Sequence, residues 1–435
     1  MQKMNNKHFF DRMYQERYFE ALKTLNVNNI NCNEIVHYTS TAVLEALLSS
    51  GIMRATNVFY ANDSVEYQIG IKVLQNVFKE DENILGLINE LSAHNDYNWP
   101  GVFTLSFASK SDELQHWVTY GKESGVSIEF DTIPLRKERD NPNNVVLCQR
   151  YVTDDRSYIS EVEHFYPIKY INPQTIVTAS FADDVKNAFK QAAQLVHETC
   201  ESNCDSHSGK AGCWLKKTSN KEYAAGFLIL LLSYYKSESF KGEVETRASF
   251  LPAFDHLADD IANKICYLRQ DNGILRPYIE VLFAQTKDDY SFDVTPAIPI
   301  KTITVGPSGT QAKVYASIVH RLKYGDTKCV WDCDEDTMQK RLGDWLQQVT
   351  NDYCPYDCKK EEFAKHLLHH WNVENGKKYC VATDQVDIFS ITKCGERSCY
   401  TTSKIIVDCA DEAWHSNYLS KHGIWVKRSK VEYLF

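Results

Sequence analysis

Apolar segments of strand length recur along this chain, separated by helical spacing and turn residues, and they constrain its fold more than any motif does. They are Ile35-Val36-His37-Tyr38, Val102 to Phe107, Gly125 to Phe130, residues 243–251 and 276–284, and Ile300 to Val305. Gly125 to Phe130 and Ile300 to Val305 alternate in polarity, as half-buried strands do. Helical signals lie between these segments. Thr39-Ser40-Thr41 offers N-caps to a helix carrying Val43, Leu44, Leu47 and Leu48, which Gly51 closes. Asn62-Asp63-Ser64 starts a second helix, with Glu66 in its first turn and Ile69, Val73 and Val77 along it. Glu113 to Tyr120, Phe181 to Cys200, the apolar residues 222–236, and Gln311 to Leu322 read as further helices. The expectation is an α+β fold with mixed or antiparallel sheets flanked by helices.

A chain of 435 residues exceeds one ordinary core. Composition changes near residue 325, and the stretch 326–435 holds eight of the fourteen cysteines. The expected division is therefore a domain over 1–325 and a smaller Cys-rich α+β domain over 326–435 that recognises a target or partner. A net charge of −10 argues against a general grip on nucleic acid or an anionic membrane. The longest apolar run, residues 224–235, is shorter than the roughly 20 residues a bilayer span requires. The polar first 31 residues do not read as a signal peptide. A cytoplasmic protein is expected, with its cysteines as thiols or metal ligands rather than disulfides.

The densest cluster of chemistry is Glu243-Val244-Glu245-Thr246-Arg247. In a strand, Glu243, Glu245 and Arg247 would share one face, with Val244 on the other. One reading is a solvated edge strand, and the other is a site that grips a polar or ribose-bearing ligand. Arg247 either neutralises the glutamates or binds a diphosphate. His37 is either a satisfied core histidine or a ligand contact, and Tyr38 is either core packing or a stacking platform. Asn62 and Asp63 read as a helix start, with ligand contact open for Asp63. Trp117 and Tyr120 read as core, with Tyr120 a candidate pocket wall.

Cys329/Cys333 and Cys354/Cys358 are C-x3-C pairs with spacings a structural zinc permits without requiring. His197, Cys200, Cys204, His207 and Cys213 form a second such group. No G-x-G-x-x-G or G-x-x-x-x-G-K-[ST] phosphate loop is present.

Several ordered segments together resemble the uncharacterised bacterial domain-of-unknown-function family 2971. They are His37-Tyr38-Thr39-Ser40, Asn62-Asp63 with Glu66, Leu105-Ser106, Trp117 with Tyr120-Gly121, Gly125 to Asp131, Glu243 to Arg247, Val305-Gly306-Pro307, and Ser317-Ile318 with His320-Arg321. The resemblance covers about three quarters of the chain and carries no activity by itself. The site logic is similar to that of ADP-ribosyltransferases, whose NAD site combines three strand-borne parts. In that likeness His37 is the first part and Ser106 the second, with Tyr38, Thr39, Tyr120, Arg247 and Asp63 around the ligand. Glu245 and Glu243 are the third, catalytic part. The middle segment departs from the usual Ser-Thr-Ser in reading Thr104-Leu105-Ser106, and Arg247 has no standard counterpart.

The resemblance implies NAD as substrate, a macromolecular acceptor (protein or nucleic acid), and a toxin or phage-defence role with an antitoxin or defence partner. On it, Glu245→Gln should abolish activity and leave the fold intact. Two rival readings remain: a Mg²⁺ nuclease built on Asp63, Glu66, Glu243 and Glu245, and a non-catalytic sensor or binding module.

Overall fold

The computed structural model describes residues 35–60, 66–93, 102–121, 125–132, 145–152, 157–162, 165–172, 182–190, 227–228, 230–231, 233–250, 266–269, 275–285, 295–326, 329–331, 340–341, 344, 390–391, 400–401, 417–419, 424–429 and 431. Its strands are β1 (Ile35–Ser40), β2 (Ile52–Asn57), β3 (Phe103–Ala108), β4 (Gly125–Phe130), β5 (Val145–Val152), β6 (Ser157–Val162), β7 (Phe165–Pro167), β8 (Lys169–Ile171) and β9 (Tyr235–Ser237). They continue with β10 (Glu245–Phe250), β11 (Cys266–Arg269), β12 (Leu275–Gln285), β13 (Thr295–Pro296), β14 (Ile300–Val305), β15 (Ser390–Ile391), β16 (Tyr400–Thr401), β17 (Asn417–Leu419) and β18 (Trp425–Arg428). The principal helices are α1 (Thr41–Ser50), α2 (Glu66–Val77), α3 (Glu82–Ala93) and α4 (Gln311–Tyr324). This is an α+β architecture: a mainly antiparallel open sheet flanked by helices.

The main sheet runs β17-β18-β14-β4-β1-β3-β2-β12-β5-β6, with β10 branching from β3 to reach β7. Of its pairings, β14 with β18 is parallel. Strands on both sides of residue 325 thus share this sheet. Trp331, Ile424 and Val426 join the same buried cluster as Ile303 and Val305, and Arg341 pairs with buried Asp131 at 2.5 Å.

The first helix forms as its sequence dictates. The Ser40 hydroxyl caps it by accepting from the Val43 amide, and Gly51 ends it at φ 73, a conformation that favours glycine. Leu44, Leu47 and Leu48 are buried as expected, whereas Val43 is 46% exposed.

Other expectations change. The apolar helix expected over 222–236 is helical at the described residues 227, 228, 230 and 231 but stops short, giving way to turn at Ser233 and Tyr234 and to strand β9, which pairs in parallel with β8. A short apolar run cannot by itself distinguish buried helix from buried strand. All six residues of β4 are buried despite their alternation. Polar residues on that strand are satisfied: the Ser127 hydroxyl donates to the Ser111 carbonyl, and Glu129 pairs with Lys301. The helix expected over 113–120 is a short α-turn, Leu114–His116, that widens into a π-turn, Trp117–Gly121.

The central strands have two unlike faces. One packs the core with Met53, Ala55, Phe103, Leu105, Phe107, Ala248, Phe250, Ile279 and Val281. Registers Arg54↔Glu280, Thr56↔Tyr278, Thr56↔Thr104 and Arg247↔Ser106 carry a polar set across the other face. Burying one such Phe or Leu stabilises by about 1.5–3 kcal/mol. The apolar face therefore pins the register, and the register positions the polar face.

Candidate functional site

Strand β3 pairs along its whole length with β10 on one edge. On its other edge β1 meets it at Val36↔Ala108 and β2 at Thr56↔Thr104 and Asn57↔Phe103. Between those contacts the sheet forks. In the gap the His37 imidazole donates through Nδ1 to the Ser106 carbonyl at 3.1 Å, satisfying a backbone acceptor that has no strand ladder there. This tautomer leaves Nε2 as an acceptor. Burial pushes the His37 pKa down, against the opposing effect of that hydrogen bond, so the ring is neutral at pH 7.

A cleft of about 410 Å³ opens at the fork. It brings together His37, Tyr38, Ser106, Tyr120, Glu243, Glu245 and Arg247 from β1, β3, the 114–121 segment and the start of β10. Of the expected residues, Thr39 does not line it. Asp63 lies outside the described residues, as do Cys333, Cys354, Cys358 and the His197–Cys213 group. Cys329 is described: its thiol reaches the Ser49 carbonyl at 3.8 Å, and burial with Asp326 nearby raises its pKa. Among the described residues no group of three or more His, Cys, Asp or Glu is arranged to hold a metal ion.

The solvated-edge reading of residues 243–247 is overturned, because Glu243, Glu245 and Arg247 are 8%, 6% and 2% exposed. Nor is Glu243 part of the strand. It ends a 3-10 turn (Glu238–Glu243), and Val244 adopts a left-handed φ of 41 before β10 begins. A β-branched residue there is strained. The reversal leaves Val244 51% exposed and turns both carboxylates to one cation, Lys236. Its Nζ lies 2.7 Å from Glu243 Oε2 and 3.0 Å from Glu245 Oε2. Arg247 forks onto Glu245 through Nε at 2.5 Å and Nη2 at 3.0 Å, and donates through Nη1 to the Ser233 carbonyl at 2.8 Å. Pairing, not ligand binding, is thus the role Arg247 shows.

Two carboxylates and two cations balance within this cluster, which is what allows its burial. Burial alone would raise the Glu245 pKa. The charges of Arg247 and Lys236 and hydrogen bonds from Arg247 and Ser106 outweigh it and hold the value at about 2. Both Glu245 oxygens are engaged. Glu243 Oε1 takes a longer bond, 3.3 Å, from the Tyr120 hydroxyl, so Glu243 has the more available oxygen.

His116 closes the site from the 114–121 segment. Its Nε2 donates to the Glu243 carbonyl at 3.0 Å, and its ring stacks on Tyr38 with centroids 4.7 Å apart. Burial holds its pKa low, against that hydrogen bond and the nearby carboxylates. A Cβ on Gly242 would come within 2.3 Å of the Gln115 side chain. Tyr38 behaves as core: its hydroxyl donates to the Lys110 carbonyl at 2.8 Å and accepts from the Glu113 amide at 3.1 Å.

Sequence reasoning missed Lys236, His116, Arg54, Asn57 and Arg276, all of which line the cleft. Lys236 lies in β9, past the end of the apolar helix, which the sequence reading extends through residue 236. Arg54 and Arg276 follow the period-2 spacing of β2 and β12, which puts them on one face only once those strands are paired.

No protein-family model, curated protein or solved structure matches this chain.

Proposed function

We propose that the cleft binds NAD and transfers its ADP-ribosyl group to a macromolecule, in the manner of a bacterial toxin or phage-defence effector. One observation carries this reading: His37, Ser106 and the Glu243/Glu245 pair, far apart in sequence, line one cleft where the sheet forks. That is the arrangement the likeness to ADP-ribosyltransferases implies.

The chemistry fits the groups present. As the bond between the nicotinamide nitrogen and ribose C1′ breaks, its electron pair leaves with nicotinamide, and positive charge builds on the ribose. Glu245, kept ionised by Arg247 and Lys236, opposes that charge without reorganising. The acceptor attacks C1′ and gives its proton to Glu243, whose Oε1 is the more available carboxylate oxygen. His37 Nε2 accepts from a ligand hydroxyl.

A Mg²⁺ nuclease is less well supported. The carboxylates it would use at 243 and 245 are already matched by Lys236 and Arg247, so a metal would have to displace Lys236.

The test is nicotinamide release from NAD by the wild type, Glu243→Gln and Glu245→Gln, with and without chelator, each variant's thermal midpoint being measured alongside. Chelator-insensitive release, lost in a folded Glu243→Gln, is the expected result. Absence of release and of NAD binding, or release unchanged in Glu243→Gln, would overturn the proposal.

A further inference from the structure

The 114–121 segment brings His116 and Tyr120 to Glu243, yet it has little helix of its own. It consists of a three-residue α-turn and a five-residue π-turn, and Glu113 at its start makes no side-chain cap. Turns this short do not hold their shape in water alone. On the cleft side the segment is fixed by the His116 bond to the Glu243 carbonyl at 3.0 Å and the Tyr120 bond to Glu243 Oε1 at 3.3 Å. Further support comes from the far end of the chain.

Ser429 follows β18 and donates its hydroxyl to Asp112 Oδ1 at 2.5 Å. Trp117 Nε1 donates to the same oxygen at 2.8 Å. The Ser429 hydroxyl also accepts from the Val431 amide at 3.1 Å, which fixes its rotation. Its backbone is held too: the Ser429 amide donates to the Val305 carbonyl at 2.8 Å, and Gln311 Nε2 donates to the Ser429 carbonyl at 3.4 Å. Val431 packs half-buried against the cluster of Val36, Tyr38, Ala108 and Trp117. The Trp117 ring lies close against Gly121 and Gly306, where a Cβ would come within 2.9 Å of it. Trp117 meets Tyr38 edge-on at 4.9 Å, and Tyr38 stacks on His116. Contacts therefore run without a break from residues 429 and 431 through Asp112, Trp117 and Tyr38 to His116 and Glu243.

We infer that Ser429 and Val431 are positioning residues for the cleft, a strap that seats Trp117 and thereby holds His116 and Tyr120 against Glu243. Neither residue lines the cleft, so each acts through the segment it braces. A displacement of about 1 Å at a reacting group can cost about 10²-fold in rate. A loosened brace would therefore be felt at Glu243 while the ligand's own contacts stay intact. The strap makes β18 part of the site's support, where the sequence suggests a separate recognition domain. The inference rests on the transferase reading for its kinetic consequence alone, and hydrogen exchange judges the brace itself.

Hydrogen exchange of the full chain tests it, comparing the wild type with Ser429→Ala, Ser429→Thr and Val431→Asp. Ser429→Ala should speed exchange at residues 113–121 about tenfold, the shift that one lost hydrogen bond to a carboxylate implies. Strands β4 and β14 should keep their protection. Val431→Asp, which sets a charge against Tyr38 and Trp117, should speed exchange more. Ser429→Thr, which keeps the hydroxyl, should restore the wild-type rate. In nicotinamide release kcat should fall in the same order, with the KM for NAD near its wild-type value. Unchanged exchange at 113–121 in both Ser429→Ala and Val431→Asp would overturn the strap whether or not the wild type releases nicotinamide. Protection lost to the same degree in β4 and β14 would overturn it too, because the two residues would then serve the fold as a whole. Release with kcat unaltered in both variants would overturn the positioning role and leave the transferase reading. Selective loss at 113–121 without release by the wild type would leave the strap standing and remove the transferase reading.

Discussion

The two ends of the cleft handle charge in opposite ways. At the β10 end, Lys236, Glu243, Glu245 and Arg247 are all less than a tenth exposed, and each acid meets at least one cation. At the β2 and β12 end, exposed Arg54 lies 4.9 Å over the Tyr278 ring and half-buried Arg276 donates to the Tyr60 carbonyl. A buried balanced cluster is a structural commitment, because removing one member leaves an uncompensated charge. An exposed cation contributes little to stability and is available to a ligand. The contrast teaches that charge density alone does not mark where a ligand binds. What distinguishes the ends is burial: the paired charges at the β10 end are sealed from solvent, whereas Arg54 stands exposed.

The contrast breaks most readily at Lys236. Lys236→Met leaves two buried carboxylates with one arginine, and a loss of about 3–5 kcal/mol is expected in chemical denaturation. A loss below about 1 kcal/mol would mean the cluster does not hold this end together. Restoring balance with Glu243→Gln in the same chain should recover part of the loss, a coupling a double-mutant cycle would read. The same logic revises the expectation for Glu245→Gln. It leaves Lys236 and Arg247 facing one carboxylate, so it should lower stability as well as activity, and its activity is interpretable only beside its melting temperature.

Acid should separate the ends next. Folded His37 and His116 have pKa values below the ordinary 6.5 of a free imidazole, so the unfolded chain binds these protons more readily. Their contribution is full above pH 6.5 and is lost as pH falls below it. Glu245 drops from 4.5 to about 2, so its contribution is present above pH 4.5 and is lost as pH falls from there toward 2. Thermal midpoints should therefore decline in two stages on acidification, and His116→Phe should blunt the first. An unchanged first stage would remove His116 from it.

Smaller effects sharpen the picture. Val244→Gly relieves a left-handed β-branched residue that is half exposed. Relief of about 1–2 kcal/mol is partly offset by about 0.5–1 kcal/mol of glycine entropy, so a gain of up to about 1.5 kcal/mol is expected in denaturant. Arg54→Gln should change stability by less than about 0.5 kcal/mol. A larger loss would place Arg54 among the structural charges and erase the distinction between the two ends.

Much of the site was legible in local pattern. His37 and Ser106 lie in short apolar strands, and the glutamate pair stood out because acids so spaced serve a core poorly. The opening helix was legible down to its Ser40 cap and Gly51 stop, since both are local chemistry. The balancing cation was not legible, because Lys236 follows an apolar run whose period fits helix and buried strand alike. The fork was not legible either, as it depends on β1 and β2 sharing one edge of β3, a long-range arrangement that no segment encodes alone. Arg54 and Arg276 acquire meaning only once register brings β2 and β12 together. Glu243 and Glu245 do share a face, but through a strained turn at Val244 rather than the continuous strand their spacing suggests.

The central claim is that both ends of this cleft hold one ligand. Hydrogen exchange of the full chain, with and without saturating NAD, tests it most directly. The account predicts added protection at residues 54–57, 104–108 and 236–247 together. Protection absent from all three segments, or confined to regions away from the fork, would contradict it.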